Sequence, residues 1–377
     1  MLGFKSNGVV LDDLYVKWDE IGVGIGGLWS WGSNAYGQLG DGTAGLGTNK
    51  SSPVQVGSLT NWTSGECGSS HSVACKSDGT LWSWGYNQNG QLGDGTVSNK
   101  SSPIQVGALT TWASAASGGR GTIALKTDGT LWAWGYNYQG QLGDGTLSHK
   151  SSPVQIGTLT TWADIVSSFY HTVARRTDGT LWSWGYNASG ELGIGTVVGK
   201  SSPVQIGTLT TWADIAGGFR HTLARRIDGT LWSWGKNEHG QLGDGTRTHR
   251  SSPVQIGSLT NWAAISGGRY HSLARKTDGT LWAWGMNADG ALGDGTILSR
   301  SSPVQVGSLT NWDDCTCGSH TSFARKTDGT LWAWGTNGQG QLGNGTFTGT
   351  SSPVQTGSLT NWVGISSGLY HSLALKL

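Results

Sequence analysis

Tryptophans in pairs, two residues apart, recur along this chain at a fixed spacing, and few folds can house that pattern. They fall at Trp29/Trp31, Trp82/Trp84, Trp132/Trp134, Trp182/Trp184, Trp232/Trp234, Trp282/Trp284 and Trp332/Trp334. From Trp82 onward each step is fifty residues; the first is three longer, the excess lying in Ala44-Gly45-Leu46-Gly47 after the Gly42-Thr43 turn. A third tryptophan closes each unit, from Trp62 to Trp362, and all seven prolines belong to a Ser-Ser-Pro phrase, from Pro53 to Pro353. A length of 377 residues alone suggests two or three domains. A self-similar period of this size instead marks a solenoid, a propeller or an array.

One unit, residues 161–207, shows what is repeated. Ala163-Asp164-Ile165-Val166 is a short apolar run followed by a turn of small residues. His171-Thr172-Val173-Ala174-Arg175 alternates and is rich in β-formers, and Leu181-Trp182-Ser183-Trp184-Gly185 follows it across Thr177-Asp178-Gly179-Thr180. Asp-Gly between two such runs predicts a hairpin with a type I′ turn, whose central residues need positive φ. The two tryptophans, being two apart, share one face of a pleated strand. Asn187 to Thr196 is too rich in glycine for a regular element, and Ser202-Pro203-Val204-Gln205-Ile206 reads as an outer strand, where proline is tolerated at the start or edge. No segment carries a 3.6-residue apolar period, so each unit is about four short strands without a helix.

The two ends of the chain are complementary. It stops at His371-Ser372-Leu373-Ala374-Leu375-Lys376-Leu377, where an Asp-Gly turn would come next, and its first recognisable strand, Gly27-Leu28-Trp29-Ser30-Trp31, begins where that turn would have ended. A linear solenoid would carry polar caps instead. The expected fold is therefore all-β: a seven-bladed propeller of four-stranded antiparallel blades over residues 27–377, closed by pairing of the N- and C-terminal strands so that no sheet edge is left open. Residues 1–26 form a separate leader.

Composition excludes several roles. Charged residues are 12% of the chain and the formal net charge is +1, which is no footprint for nucleic acid. The apolar runs are of strand length, so no membrane insertion is expected, and the N-terminus shows no secretory signal. Cys67, Cys75, Cys315 and Cys317 lack metal-ligand spacing. They read as small buried thiols, in keeping with a reducing compartment.

Candidate chemistry is sparse. His71, His171, His221, His271 and His371 share one repeat position, which becomes Gly121 and Thr321 in two units. Equivalent residues on different blades seldom meet, so these histidines are expected to hydrogen-bond to the neighbouring blade. The Asp-Gly-Thr aspartates are turn formers, and seven near-identical environments do not push two carboxyl pKa values apart as acid–base catalysis requires. No catalytic residue, metal ligand or cofactor is assigned.

Variation between units is more informative, because shared positions report packing. Three places vary most. One follows Trp-Gly: Ser33, Tyr86, Tyr136, Tyr186, Lys236, Met286, Thr336. One follows Gly-Thr, as in Leu147-Ser148-His149 and Arg247-Thr248-His249. The third precedes the histidine: Ser70, Arg120, Tyr170, Arg220, Tyr270, His320, Tyr370. Tyrosine and arginine are enriched at binding hot spots. The candidate partner-binding residues are therefore Arg120, Tyr170, Arg220, Tyr270, His320, Tyr370, Tyr86, Tyr136, Tyr186 and Lys236.

The phrase Asp128-Gly129-Thr130-Leu131-Trp132-Ala133-Trp134-Gly135-Tyr136-Asn137, continued by Gly140-Gln141-Leu142-Gly143-Asp144-Gly145-Thr146, resembles the repeat of the regulator of chromosome condensation family. The resemblance recurs in every unit. It implies a seven-bladed propeller, in a family that includes a nucleotide exchange factor for a nuclear GTPase and other protein-binding modules, one of them an inhibitor of β-lactamases. The leader segment from Phe4 to Leu14, with Asn7-Gly8-Val9-Val10-Leu11-Asp12-Asp13-Leu14, resembles the opening of bacteriophage structural proteins. The sequence thus leads us to expect a non-enzymatic virion component: a tail, fibre or capsid-decorating protein. It would be assembled in the host cytoplasm and contact other virion proteins or a host surface receptor. The alternatives are a cytoplasmic protein-binding propeller acting as exchange factor or inhibitor, and a glycan-binding propeller. The sequence leaves the oligomeric state open.

Overall fold

The computed structural model describes residues 26–377. The leader, with the Phe4–Leu14 phrase and Trp18, thus lies outside the described residues apart from Gly26.

Among the described residues the chain forms seven four-stranded antiparallel sheets. In the unit dissected above, Trp162–Ser167 is the inner strand, His171–Arg176 the second, Leu181–Gly185 the third and Lys200–Gln205 the outer one. Each short run is joined to the next by a turn or short loop, so neighbours in sequence become neighbours in the sheet. The inner strands of successive blades touch one another all the way round the ring, and they enclose a central channel. The three-residue excess of the first unit forms a 3-10 turn at Leu46–Thr48.

The ring closes as the chain ends suggest. Gly27–Gly32 pairs antiparallel with His371–Lys376 in unbroken register, from Gly27 opposite Lys376 to Gly32 opposite His371. Lys50–Gln55 lies outside this pair and Trp362–Ser367 inside it. One blade is thus built from both ends of the chain, and the Gly27–Gly32 and His371–Lys376 strands are each paired on both sides.

The hairpin turn differs in kind from the type I′ expectation. The Gly179 N–H donates to the Arg176 carbonyl at 2.9 Å, and the Arg176 N–H to that of Thr180 at 3.0 Å. The glycine, at φ +76°, is thus the fourth residue of the turn and not a central one. The Asp178 carboxylate fixes this geometry by accepting from the Thr180 backbone N–H at 3.0 Å and its hydroxyl at 2.6 Å. One left-handed residue then suffices, and glycine supplies it.

Blades are joined by the tryptophans and by the glycine-rich loops. Trp184 is fully buried and stacks edge-on against Trp162 of its own blade at 6.1 Å. Its indole N–H donates to the Gln141 carbonyl of the preceding blade at 3.0 Å, and the Thr172 hydroxyl donates to the same oxygen at 2.8 Å. The contact recurs around the ring and crosses the chain ends, where Trp31 donates to the Gln341 carbonyl at 2.8 Å. Gly143 must be glycine here: its φ is +82°, and a Cβ would lie 2.5 Å from the Trp184 indole nitrogen. The buried Asn137 shapes the loop. Its amide oxygen accepts from the Leu142 N–H at 3.0 Å, and its NH2 donates to the Thr146 carbonyl at 3.0 Å and to Asp144 at 3.0 Å. Trp184→Ala would remove the ring and the inter-blade bond together, so a loss of about 3–5 kcal/mol is expected in denaturant unfolding. A loss below about 1 kcal/mol would mean that the indole is not what joins these blades.

Candidate functional site

Strand direction decides which loops share a face. The turn between inner and second strands and the loop between third and outer strands lie at one end of each blade; the Asp-Gly hairpins lie at the other. Two of the variable positions, sixteen residues apart in sequence, meet at the first end. The Tyr186 N–H donates to the Tyr170 carbonyl at 2.9 Å, Tyr86 to Ser70 at 2.9 Å, Tyr136 to Arg120 at 2.9 Å, and Lys236 to Arg220 at 2.8 Å. The same bond links Met286 to Tyr270 and, across the closure, Ser33 to Tyr370. The third variable place joins them: His149 Nδ1 accepts from the Asn137 N–H at 3.0 Å, and its ring lies 4.8 Å from Tyr136 and 4.3 Å from Tyr138. All three variable sets thus lie on one face of the propeller, the set before the histidine nearest the channel.

The surface is not evenly furnished. Its densest part centres on Arg220, whose guanidinium lies 5.2 Å from the Tyr170 ring and 4.6 Å from that of Tyr186. Tyr170 touches Phe169 at 4.6 Å and Phe219 at 5.2 Å, and the two phenylalanines meet at 4.5 Å. Next around the ring, Arg269 lies 5.1 Å from Phe219 and 5.0 Å from Tyr270. Tyr270 leads on to His320 at 6.0 Å, whose Nδ1 is 2.9 Å from Asp289. Arg120 lies 5.8 Å from the Tyr86 ring, and Lys236 is held by Glu238 at 2.9 Å. Tyr370 is 44% exposed on the far side of the mouth. Cations over aromatic faces are held electrostatically while keeping outward N–H groups free to donate.

Phe169, Phe219 and Arg269 were not among the residues expected from sequence. They stand one place before the third variable set, where other units carry Ser69, Gly119, Ser319 and Leu369. The signal was present, since three bulky side chains replace small ones at one repeat position. Glu191 was missed in the same way. It replaces the glutamine of five other units (Gln38, Gln91, Gln141, Gln241, Gln341), and it is fully buried. One carboxylate oxygen accepts from the Ser189 N–H at 2.7 Å. Burial pushes its carboxyl pKa up, while its own backbone and Ser189, then the charge on Arg220, act against the rise.

The repeated histidines lie beneath this surface, within the blade interfaces. Nε2 of His71, His171, His221, His271 and His371 is 2.9–3.0 Å from a hydroxyl of the next blade: Thr122, Thr222, Ser272, Ser322 and Ser72 respectively. Each hydroxyl in turn donates to a loop carbonyl, as Thr222 does to that of Glu191 at 3.2 Å, so the hydroxyl accepts and Nε2 carries the proton. Burial lowers all five histidine pKa values to about 3. The four cysteines are buried, and burial pushes the Cys317 thiol up to about 12, which suppresses thiolate chemistry. Among the described residues no three His, Cys, Asp or Glu side chains are placed to hold a metal ion. The geometry offers a patterned contact surface above neutral histidines that bond to the neighbouring blade through Nε2.

Comparison with known proteins agrees with this architecture. Residues 24–314 match the RCC1-like domain model, and residues 328–375 match the regulator of chromosome condensation (RCC1) repeat. Among solved structures, human WBSCR16 superposes with a TM-score of 0.84 at 21% identity, covering 93% of this chain and 98% of that one. Prp20p of Saccharomyces cerevisiae gives 0.81 at 21% identity, covering 93% and 91%. The yeast RCC1 (Prp20) crystallised with Kap60 gives 0.84 at 19% identity, covering 100% and 97%. At these identities the structures establish the shared fold, whereas the family model spans most of the chain: the protein belongs to the RCC1-like domain family of repeat propellers.

Proposed function

We propose that this propeller is a non-enzymatic protein-binding module whose contact surface is the variable face at the mouth of the channel. The observation that carries the reading is convergence. In a chain whose units are otherwise nearly identical, the positions that differ meet on one face and supply tyrosine, arginine and phenylalanine, the side chains suited to hot spots. The similar proteins support it in kind: Prp20p is described by its binding to Gsp1p and histones, and yeast RCC1 was crystallised with Kap60. Family membership favours the protein-binding alternative over the virion component, which rests on the leader outside the described residues. A catalytic reading finds no support in the histidines, which are buried within the blade interfaces and bond to the neighbouring blade through Nε2.

A quantitative capture with the intact protein as bait tests this. A partner retained at fixed stoichiometry should weaken by about 1–3 kcal/mol with Tyr170→Ala or Arg220→Ala. It should be unaffected by Leu159→Ser or Leu209→Ser, whose side chains are 41% and 42% exposed on the opposite face. Loss with the leucine variants alone would assign contact to the other face and refute the reading.

A further inference from the structure

Every tyrosine among the described residues lies on the variable face. Tyr170, Tyr186 and Tyr270 stand with Arg220, Arg269 and the phenylalanines, and Tyr370 stands apart. The remaining four come from the three blades that precede this cluster. Tyr36 and Tyr86, from neighbouring blades, meet edge-on at 4.8 Å. Tyr136, Tyr138 and His149 of the next blade form a trio with ring centroids 4.3–5.3 Å apart. Arg120 links the pair and the trio. Its guanidinium lies 5.8 Å from the Tyr86 ring. Burial pushes the Tyr136 phenol up, Tyr170 adds to the rise, and the charge on Arg120 acts against it. Tyr36 is 41% exposed and Tyr138 63%.

Polar groups around these rings are mostly neutral. The Tyr86 hydroxyl donates to the Gln88 amide oxygen at 2.7 Å. Asn99 holds beside Tyr86 the place that His149 holds beside Tyr136: its amide oxygen accepts from the Asn87 N–H at 2.8 Å, which leaves its NH2 to donate. His149 accepts through Nδ1, and burial lowers its pKa, so the neutral ring carries its proton on Nε2. Lys50, Lys100 and Lys150 are engaged by Asp41, Asp94 and Asp144 at 3.9, 3.7 and 3.4 Å. Arg120 is the one cation of these loops without a carboxylate partner among the described residues. Next around the ring, Arg220 has the buried Glu191 beside it. The paired carboxylates and Glu191 count against a polyanion, and the lysines with Arg120 count against a polycation. Flat rings edged by amide, phenol and imidazole groups suit a ligand that is apolar on its faces and hydroxylated at its rim. Tyrosine offers such contact area with few rotatable bonds to fix.

We propose that the patch formed by Tyr36, Tyr86, Tyr136, Tyr138 and His149 binds a neutral β-1,4-linked glycan. Its substituents are equatorial, so each sugar ring presents flat C–H faces with no axial hydroxyl to lift it from an aromatic ring. One stretch of the chain stacks on the Tyr36–Tyr86 pair and another on the Tyr136–Tyr138–His149 trio. Hydroxyls between them bond to Gln88, Asn99, Arg120 and His149. The site adds a second ligand class to the face and leaves Tyr170 and Arg220 to the protein partner.

The probe is cellohexaose, titrated against the full chain and followed by saturation-transfer difference NMR. Saturable binding is expected, level between about 0.05 and 0.5 M salt because no net charge is matched. Cellobiose, which reaches only one of the two aromatic groups, should bind about tenfold more weakly. Tyr36→Ala and Tyr138→Ala should each weaken cellohexaose about tenfold. Both side chains are exposed, so thermal unfolding of these variants should match the parent. Leu209→Ser, on the opposite face, should bind as the parent does. Absence of saturable cellohexaose binding overturns the proposal, and so does binding that both tyrosine variants leave unchanged or that added salt abolishes. A protein partner released by Tyr138→Ala from a chain that ignores cellohexaose assigns the patch to the protein interface instead. The protein-binding reading fails separately, when a captured partner is indifferent to Tyr170→Ala and Arg220→Ala.

Discussion

A chain ending at Tyr370 is expected not to fold as a monomer. Deleting His371–Leu377 removes the strand that sits second from the axis in the composite blade and pairs on both sides. Leu28, Trp31 and Trp362, all buried, would lose their cover, and the Gly27–Gly32 strand would present an open edge. The deletion would also leave the ring with two unlike ends in place of one closed circuit, so the damage is not confined to one blade. Size-exclusion chromatography should show aggregate or expanded chain, with the cooperative denaturant transition lost. The matching positive result is a circular permutant in which residues 371–376 lead into Gly27 through a Thr-Asp-Gly turn and the chain ends at Tyr370. There the same strand pairing becomes a local hairpin with a low closure cost, and a stability at least equal to the parent is expected. A truncated chain that stays a compact, cooperatively unfolding monomer would show that closure does not hold the ring.

Acid is expected to unfold the protein in a pH range where most surface carboxylates are still charged. In the unfolded chain a histidine takes up its proton near pH 6.5. The five inter-blade histidines resist protonation until about pH 3 because burial disfavours the charged ring. Between those values the unfolded state binds more protons, so stability is full above about pH 6.5 and falls as the pH drops toward 3. Each histidine contributes about 1.4 kcal/mol per pH unit. The five acting together are worth on the order of 10 kcal/mol at pH 5, comparable with the whole stability of an ordinary domain. The carboxyls of Glu191 and Asp314, both raised by burial, work in the opposite direction, but they are two groups against five. Calorimetry should show the melting temperature falling by about 10 °C or more between pH 7.5 and pH 5. Unfolding at pH 5 should take up about five protons when measured in buffers of different ionisation enthalpy. His171→Asn, which can still donate to Thr222, should flatten the pH dependence by about a fifth. A melting temperature that is level over this range would contradict the buried neutral histidines.

Much of the fold could be read from spacing. The paired tryptophans gave the period, Asp-Gly gave the hairpins, and the strand from His371 together with that from Gly27 gave the closing pair. The turn type was misread because the sequence shows an Asp-Gly dipeptide but not which residue closes the hydrogen bond; Gly179 does. The site was half legible. Tyr86, Tyr136, Tyr186 and Lys236 on one list and Arg120, Tyr170, Arg220 and Tyr270 on another stood out as variable, yet nothing along the chain said that the two lists meet. Phe169, Phe219, Arg269 and Glu191 passed unnoticed because each looks unremarkable until its neighbours from adjacent blades are known.

The sequence by itself determined the local units: alternation of side chains, glycine at turns and a fifty-residue period all act over a few residues, where the chain's own geometry decides the outcome. Only the tertiary structure decided what each blade presents to the next. The hydrogen bond from Trp184 to the Gln141 carbonyl, the histidine-to-hydroxyl links and the crowding of Arg220 between Tyr170 and Tyr186 depend on the angle and distance between separate sheets. Packing around a closed ring sets those quantities, and no single repeat encodes them.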